Sequence, residues 1–383
     1  MLNQPPRRVR PWHLLSLVAA VIAALLIPAV ASAKYEARFQ TRNLYLGADL
    51  GPALDATSTN EFIRANGQIL RDVDRNNFPV RAKGLAREIL SKNPDLVGLQ
   101  EVSLWRTGEL NVLAPITGEF TAEDVKYDYL QLLLDELNRG PGDRYRVVTV
   151  QQEFDFEAPA DYNGIAGDGN LPGLNDDGEM NGRLTMRDVI LARTGGQVKT
   201  WNSGGGNFET LYSPTISGIP VIVQRGWTQT DARIRGHKPF RFVNTHLEAF
   251  GDPTIREAQA EELVAPGGPA AAGALPVVLV GDINSDDNTV FGDDRLAYQA
   301  LLDAGLVSRS TEDPMSCCLE SDILEDTFGS VADFDHHIDH ILTDDPGSIG
   351  LIRSSVSGLV PENGYWNSDH AGVFSALTIP TGR

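Results

Sequence analysis

Asp282 and Asn284 stand two residues apart at the end of an apolar run, Pro276–Ser285, PVVLVGDINS. Val277 to Val280 read as a strand buried on both faces, because such strands are continuous apolar runs. On an extended chain, residues two apart point the same way. A carboxylate beside an amide could hold a water, a metal ion or a phosphate oxygen. Gly, Asp and Asn are also common turn residues, so the motif taken alone reads equally as a strand ending in a turn.

The pattern recurs. Asn43, Glu101, Asn244 with His246, Asp339, and Asp369 with His370 each follow or interrupt a short apolar run. Each has a bland reading by itself. His246 in FVNTHLEAF could be a satisfied core histidine, Glu101 a helix cap, and Ser368–His370 a turn. Together they would be a costly set of polar groups to bury without a purpose. A pocket of carboxylates, amides and imidazoles is what phosphate-ester hydrolysis requires. A hard cation needs carboxylate oxygens, the attacking water needs a base, and the leaving oxygen needs an acid.

The elements that must position these groups can be read from periodicity. Strands are expected at Thr41–Leu46, Leu96–Leu99, Tyr145–Val150, Val189–Ala192, 219–223, 240–245, Ile338–Leu342 and Ala371–Leu377. Ala82, Leu85, Ala86, Ile89 and Leu90 have helical spacing, stopped by Asn93-Pro94. Leu130, Leu133, Leu134 and Leu137 mark a second amphipathic helix, closed by Gly140. Ile255–Val264 and Arg295–Ala304 are expected to be helical, with a flexible Ala/Gly/Pro connection over 265–275. Residues 151–186 are acidic, Gly-rich and without a clear period, and are expected to be a long loop. Asn175–Glu179 within them invites a calcium-loop reading. With Gly178 at the invariant glycine, the first and twelfth positions fall on Gly173 and Leu184, so the EF-hand pattern fails.

The chain is 42% hydrophobic and 22% charged, enough for a sizeable core, and shows no internal repeat. Its first 33 residues differ from the rest. Arg7, Arg8 and Arg10 precede the uncharged run Leu14–Val30, and Ala31-Ser32-Ala33 fits a small-x-small cleavage site. This reads as a secretory signal peptide cut before Lys34, leaving one domain over 34–383 and an extracellular protein. An uncleaved anchor is the rival, but 17 residues is at the short limit for a span. Arg7-Arg8 is a weak hint of twin-arginine export. Loss of three arginines and no acids would take the net charge from −20 to −23. Such a surface repels polyanions, so a broad nucleic-acid footprint is not expected. No other segment could cross a membrane, and a monomer is expected. Cys317 and Cys318, the two cysteines, are adjacent. A vicinal disulfide, free thiols and bonds to another chain all stay open.

In order along the chain, RNLYLG (42–47), DLVGLQEV (95–102), FVNTHLEAF (242–250), VVLVGDINS (277–285), HHIDHIL (336–342) and SDHAGVFSAL (368–377) resemble the motifs of the endonuclease/exonuclease/phosphatase superfamily. The resemblance runs across essentially the whole chain after the leader. It implies a four-layer αββα sandwich with two central mixed β-sheets. It implies a magnesium-dependent hydrolase, with manganese or calcium as alternatives. Glu101 resembles the principal metal ligand, and Asn43 and Asp369 lie where the family has further metal-proximal groups. Asp282 and Asn284 resemble the pair that contacts the attacking water and scissile phosphate. His246 resembles a histidine that contacts phosphate or protonates the leaving oxygen. His370 resembles the essential histidine, and Asp339 the carboxylate that orients it. One position departs: where the family often has Arg-Ile-Asp, this chain has His337-Ile338-Asp339. A histidine titrates near neutrality where an arginine is always charged.

A phosphate-ester substrate leaves several readings open: a nucleic acid, a phospholipid head group or a small ester. A nuclease wants cationic strips, and no basic cluster stands out. A lipid phosphodiesterase tolerates an acidic surface but wants an exposed aromatic hairpin, for which Trp201, Phe208, Leu211 and Tyr212 around Gly204–Gly206 are the candidates. A binding module that kept the fold without activity would be expected to lose part of the set Glu101, Asp282, Asn284, Asp339 and His370, and all are present.

Overall fold

A computed structural model describes residues 36–164, 179–287, 295–310, 315–319, 323, 330–344 and 348–381. The leader and its cleavage site, and most of the rejected calcium loop, lie outside the described residues. The strands, in chain order, are β1 Ala37–Asn43, β2 Leu96–Gln100, β3 Leu104–Gly108, β4 Asp124–Asp128, β5 Tyr145–Asp161, β6 Glu179–Arg193, β7 Val198–Asn207, β8 Thr215–Ile216, β9 Ile219–Pro220, β10 Gly226–Ile234, β11 Phe240–His246, β12 Val277–Asp282, β13 Leu306–Ser308, β14 Asp339–Asp344, β15 Gly350–Ser357 and β16 Gly372–Thr378. The longer helices are α1 Thr59–Arg75, α2 Phe78–Lys92, α3 Tyr129–Leu137, α4 Pro253–Val264 and α5 Leu296–Asp303.

An eight-stranded mixed sheet has the order β15-β16-β1-β2-β6-β3-β4, with β5 also paired to β6. A six-stranded mixed sheet has the order β13-β14-β12-β11-β10-β7. Apolar side chains from both sheets meet between them, among them Phe39, Leu96, Ile190, Phe240, Phe242, Val280 and Val373. Phe39 stacks on Phe242 and meets Phe240 edge-on, with ring centroids 5.7 and 5.5 Å apart. The far face of the larger sheet is covered by α1, α2 and α3 through Phe62, Leu70, Phe78, Leu85 and Leu133. The far face of the smaller sheet is covered by α4 and α5 through Leu263, Ala297 and Leu301. Helix, sheet, sheet, helix is the expected four-layer order, and each layer exists because its neighbour buries its apolar face.

The sheets come close enough to exclude side-chain atoms. A Cβ on Gly98 would lie 2.4 Å from Asn244 Oδ1 and 2.5 Å from Val280 Cγ2. Asn244, on the smaller sheet, accepts from Gln100 Nε2 at 2.5 Å and donates to the Leu99 carbonyl at 3.2 Å. This strand-end amide is therefore a tie between layers.

Several sequence expectations need correction. The first strand runs Ala37–Asn43, so Asn43 ends it instead of lying within it. Strand structure over 219–223 shrinks to Ile219–Pro220, paired with Thr215–Ile216. Most of the expected loop 151–186 is ladder: β5 continues to Asp161, β6 starts at Glu179, and residues 165–178 are outside the described set. Two of its acidic residues belong to cross-strand pairs. Asp155 accepts from Arg183 Nε at 2.8 Å, and Glu157 from Asn181 Nδ2 at 2.6 Å. Paired polar residues on one face and Phe154, Phe156 and Ala158 on the other make a stable hairpin out of a loop-like composition. Of the candidates for an exposed aromatic hairpin around Gly204–Gly206, Trp201 is exposed and Leu211 and Tyr212 are half-buried. Gly204–Gly206 lie inside β7, where a Cβ on Gly206 would press within 2.8 Å of the Trp227 indole, while Phe208 is buried.

Candidate active site

The register of the smaller sheet sets His246, Asp282 and Asp339 in one row. Asp282 is directly opposite His246 of β11 on one side and Asp339 of β14 on the other. The larger sheet supplies Asn43 at the end of β1, Glu101 just after β2, and Asp369-His370 just before β16. The contact that joins the two halves is Asn43 Nδ2 donating to Asp282 Oδ2 at 2.9 Å. Its carbonyl end accepts from the Tyr45 amide at 2.8 Å, so both ends of the Asn43 side chain are engaged.

Glu101 owes its direction to a broken strand. β2 pairs with residues 189–192 of β6, and β3 pairs with residues 181–185 of the same edge. The two are one antiparallel strand interrupted at 101–103. Glu101 sits at the break with φ of 53°, which L-residues rarely adopt. That torsion lifts its carboxylate off the sheet, where Oε2 accepts from the Leu46 amide at 2.6 Å. Asn284 (φ 49°) and Tyr45 (φ 56°) have the same left-handed backbone. Backbone strain of this kind collects at functional sites. Asn284 is held by Nδ2 donating to the Leu247 carbonyl at 2.9 Å, and its own amide donates to Asp282 Oδ1 at 3.0 Å.

The two histidines differ in charge for physical reasons. His370 Nδ1 donates to Asp339 Oδ2 at 2.8 Å. Burial alone would lower the basicity of His370, but the carboxylates of Asp339, Asp282 and Asp369 override it and hold the value well above the ordinary histidine range. His370 is thus an imidazolium near neutral pH, with Nε2 3.6 Å from Asp282 Oδ2. His246 goes the other way, pushed well below the ordinary value by burial and by Arg225 and His370. Arg225 Nη1 lies 3.1 Å from His246 Nδ1. A guanidinium only donates, so Nδ1 is the acceptor and the ring proton is on Nε2. That nitrogen faces Asp282 Oδ2, 3.5 Å away. As a neutral ring, His246 suits hydrogen bonding to a phosphate oxygen better than delivery of a proton.

The acids are strained electrostatically. Burial, partly offset by His370, pushes Asp282 up to about 6 and Asp369 up to about 6. Glu101 is raised by burial as well. Deeper still, burial raises Glu153 to about 8 and Asp188 well above its ordinary value. Both Asp188 oxygens lack a hydrogen-bond partner. Sequence reading missed Glu153, Asp188, Arg225 and Glu248. Arg225 Nη2, 3.6 Å from Glu248 Oε1, is the guanidinium at the heart of this acidic group. It also missed Arg81, which donates to the carbonyls of Leu44, Tyr45, Asn76 and Asn367 and so fixes the two loops that carry Asn43 and Asp369. The departure from Arg at position 337 has a definite outcome: His337 is buried and its Nδ1 is 2.7 Å from Asp287 Oδ2, away from the Asp282–His370 contact.

The donor set fits the hard divalent cation that the resemblance implies, because raised and crowded carboxylates are what such an ion relieves. Glu101 and Asp369, partly exposed where the row opens, would hold it. When bound it would polarise a phosphate oxygen and offset negative charge on it. The chain's own groups divide the remaining work. Asp282, pinned by Asn43 and the Asn284 amide, has carboxylate oxygens that can accept a proton from a water. His370, kept charged by Asp339, faces the same space and can stabilise charge that develops on phosphorus. His246 and Asn284 offer polar hydrogen-bonding groups around it.

The Endonuclease/Exonuclease/phosphatase family model matches residues 65–370 of the chain. No curated protein matches the sequence. Solved structures match at low identity. An endonuclease/exonuclease/phosphatase family protein from Bacteroides thetaiotaomicron is 15% identical, with 90% of this chain and 98% of that one covered and a TM-score of 0.50. One from Bacteroides vulgatus is 14% identical over 90% and 100%, also at 0.50. Another from Leptotrichia buccalis is 13% identical over the same shares, again at 0.50. At this identity the likeness concerns the fold.

Two outcomes are expected. Asp282 and Asp369, raised from 3.8 to about 6, bind protons more tightly when folded than unfolded. Their contribution to stability is therefore full below the unfolded value and is lost as pH rises from about 4 through 6. Magnesium added to chelator-treated protein should raise the melting temperature more at pH 7.5 than at pH 5, and Glu101→Gln should remove most of that gain. Equal gains at both pH values would contradict the electrostatic account. Secondly, His370→Ala should cut turnover by roughly 10²–10⁴, and Asp339→Asn by less. The double variant should be little worse than His370→Ala, because the pair acts as a unit. Multiplicative losses would mean that Asp339 works independently.

Proposed function

The chain belongs to the Endonuclease/Exonuclease/phosphatase family, and from that premise we propose that it is a divalent-metal-dependent phosphoesterase with a preference for amphiphilic substrates. Water activated by Asp282 attacks phosphorus, and the charged His370–Asp339 pair stabilises the developing charge. Magnesium is the cation we assign. The observation that carries the substrate class is a cavity of about 400 Å³ that opens beside Glu101, Asp369 and Arg225. Its depths are apolar: Phe62, Leu70, Trp105, Phe156, Leu184 and Met186 line it. The volume is within the range of small-molecule pockets, roughly 300–1,000 Å³. A polar mouth and an apolar interior suit a phosphate ester that carries an alkyl, acyl or aryl group. The sheet hairpin β5–β6 and helix α1 form the apolar walls, so the pocket follows from the same packing that replaces the expected loop.

The rival is a nuclease. Its substrate carries negative charge along its whole length, and the chain's net charge is −20. Such a surface opposes association with a polyanion. The leader motif supports work outside the cell, with Lys34 as first residue. N-terminal sequencing of protein from the culture medium tests that; a chain beginning at Met1 and retained with the cells would oppose it.

The substrate class is tested with purified enzyme and magnesium against plasmid DNA, RNA, a simple aryl phosphodiester, phosphatidylinositides and sphingomyelin. Turnover per unit KM should be higher for the esters with apolar groups than for either nucleic acid. Leu184→Asp, which puts a charge in the cavity wall, should raise KM for an apolar ester at least tenfold. It should change hydrolysis of a small dialkyl phosphate much less. Preference for DNA, untouched by that substitution, would favour the nuclease.

A further inference from the structure

Cys317 and Cys318 lie in none of the roles assigned so far, yet they stand against the charged histidine. They form a vicinal disulfide, and neither cysteine is free. The Cys317–His336 bridge and the Leu319 amide, which donates to the Asp369 carbonyl at 2.9 Å, fix the segment beside the site. Cys317 Sγ is 3.5 Å from His370 Nε2, and Cys318 Sγ is 4.0 Å from the same nitrogen. Cys317 is buried and Cys318 is exposed. A solvent species can therefore reach one sulfur while the other faces the site.

We propose that reduction of this disulfide creates a site for a soft divalent cation, with Cys317 Sγ, Cys318 Sγ and His370 Nε2 as ligands, and that occupancy switches off hydrolysis. The binding half stands by itself; the switching half rests on the hydrolase reading above. Thiolates and imidazole are the donors that zinc and cadmium prefer, whereas magnesium prefers oxygen. Tetrahedral bonds of about 2.3 Å to sulfur and about 2.0–2.1 Å to nitrogen place those ligand atoms about 3.5 Å apart. The two sulfur–nitrogen separations in the disulfide form are near that figure, and reduction frees the two sulfurs to part to the roughly 3.8 Å that two such bonds require. A water would complete the four-coordinate shell. A cation there would displace the proton from His370 Nε2, so the ring would lose the positive charge that the hydrolase reading assigns to it.

The redox step balances with an external reductant. Two electrons and two protons convert the disulfide to two thiols. A water-soluble phosphine supplies the electron pair and becomes its oxide, and one water supplies the oxygen and both protons. Binding of the cation then releases three protons, one from each thiol and one from His370 Nε2. In the disulfide state each sulfur is bonded to the other, so the thiolate pair exists only after reduction.

The test uses the full mature protein with cadmium as probe, before and after phosphine treatment. With magnesium saturating, the reduced protein should bind one more cadmium per chain than the oxidised protein by equilibrium dialysis, with a sulfur-to-cadmium charge-transfer absorption that the oxidised protein lacks. C317S/C318S, and reduced wild type alkylated with iodoacetamide, should both lose the signal, so a misfolded variant does not blunt the test. His370→Ala should weaken cadmium binding at least tenfold. With magnesium saturating, cadmium should lower hydrolysis at least tenfold in reduced protein and have much less effect in oxidised protein. Three results would overturn the proposal: no thiols titrating after reduction, cadmium binding unchanged in C317S/C318S, or binding unchanged in His370→Ala. If none of the esters is hydrolysed, the function reading fails while the dialysis and absorption still decide the site.

Discussion

The hydrogen bond from Asn43 to Asp282 is the contact on which the site depends. Asp282 is buried at the seam between two sheets, where an unpaired carboxylate would be expensive. It is tolerable because each of its oxygens has a donor, one from the opposite sheet and one from the Asn284 backbone. The same bond fixes the distance between the sheets at their catalytic edge. Once that distance is set, His370 from one sheet and His246 from the other fall on either side of the same carboxylate oxygen. Arg225 and Asp339 then set their opposite charge states. The four-layer packing thus serves mainly to hold one carboxylate in place from both sides.

Much of this was readable from the sequence because the strands that carry the site are buried on both faces. Continuous runs such as Val277–Val280 and Leu96–Leu99 leave little doubt about where they end, and the polar residue after each is conspicuous. The register row of His246, Asp282 and Asp339 needed only those ends. The β5–β6 hairpin was illegible for the opposite reason. Its polar residues find partners across the ladder, a fact that composition does not carry. Glu153, Asp188 and Arg225 went unseen because burial among like and unlike charges leaves no trace in spacing. The helix Thr59–Arg75 was legible but not read: Ser58 accepts from the Glu61 amide at its start, a capping signal, and Phe62, Ile69, Leu70 and Val73 form its buried stripe.

Arg81 shows how a residue far from the chemistry can govern it. Its guanidinium is fully buried, with the rings of Tyr45, Phe78 and Tyr129 around it. It satisfies four backbone carbonyls that belong to two loops and a helix end. Without those bonds the loops bearing Asn43 and Asp369 would each have to satisfy their carbonyls with water. Lysine could carry the same charge but lacks the planar fork that serves several acceptors at once.

The break in the long strand at Glu101 has a use beyond placing one carboxylate. Glu101, Tyr45 and Asn284 share a torsion that ordinary residues avoid, Glu101 and Tyr45 on the cavity wall and Asn284 beside Asp282. Erase every side chain and a trace of the backbone would still mark this spot, as three turns of the wrong hand converging from separate segments. A search of anonymous folds could therefore look for such convergence first and ask about residue identities afterwards. It would find sites whose sequences have drifted past recognition, provided the torsions had outlived the letters.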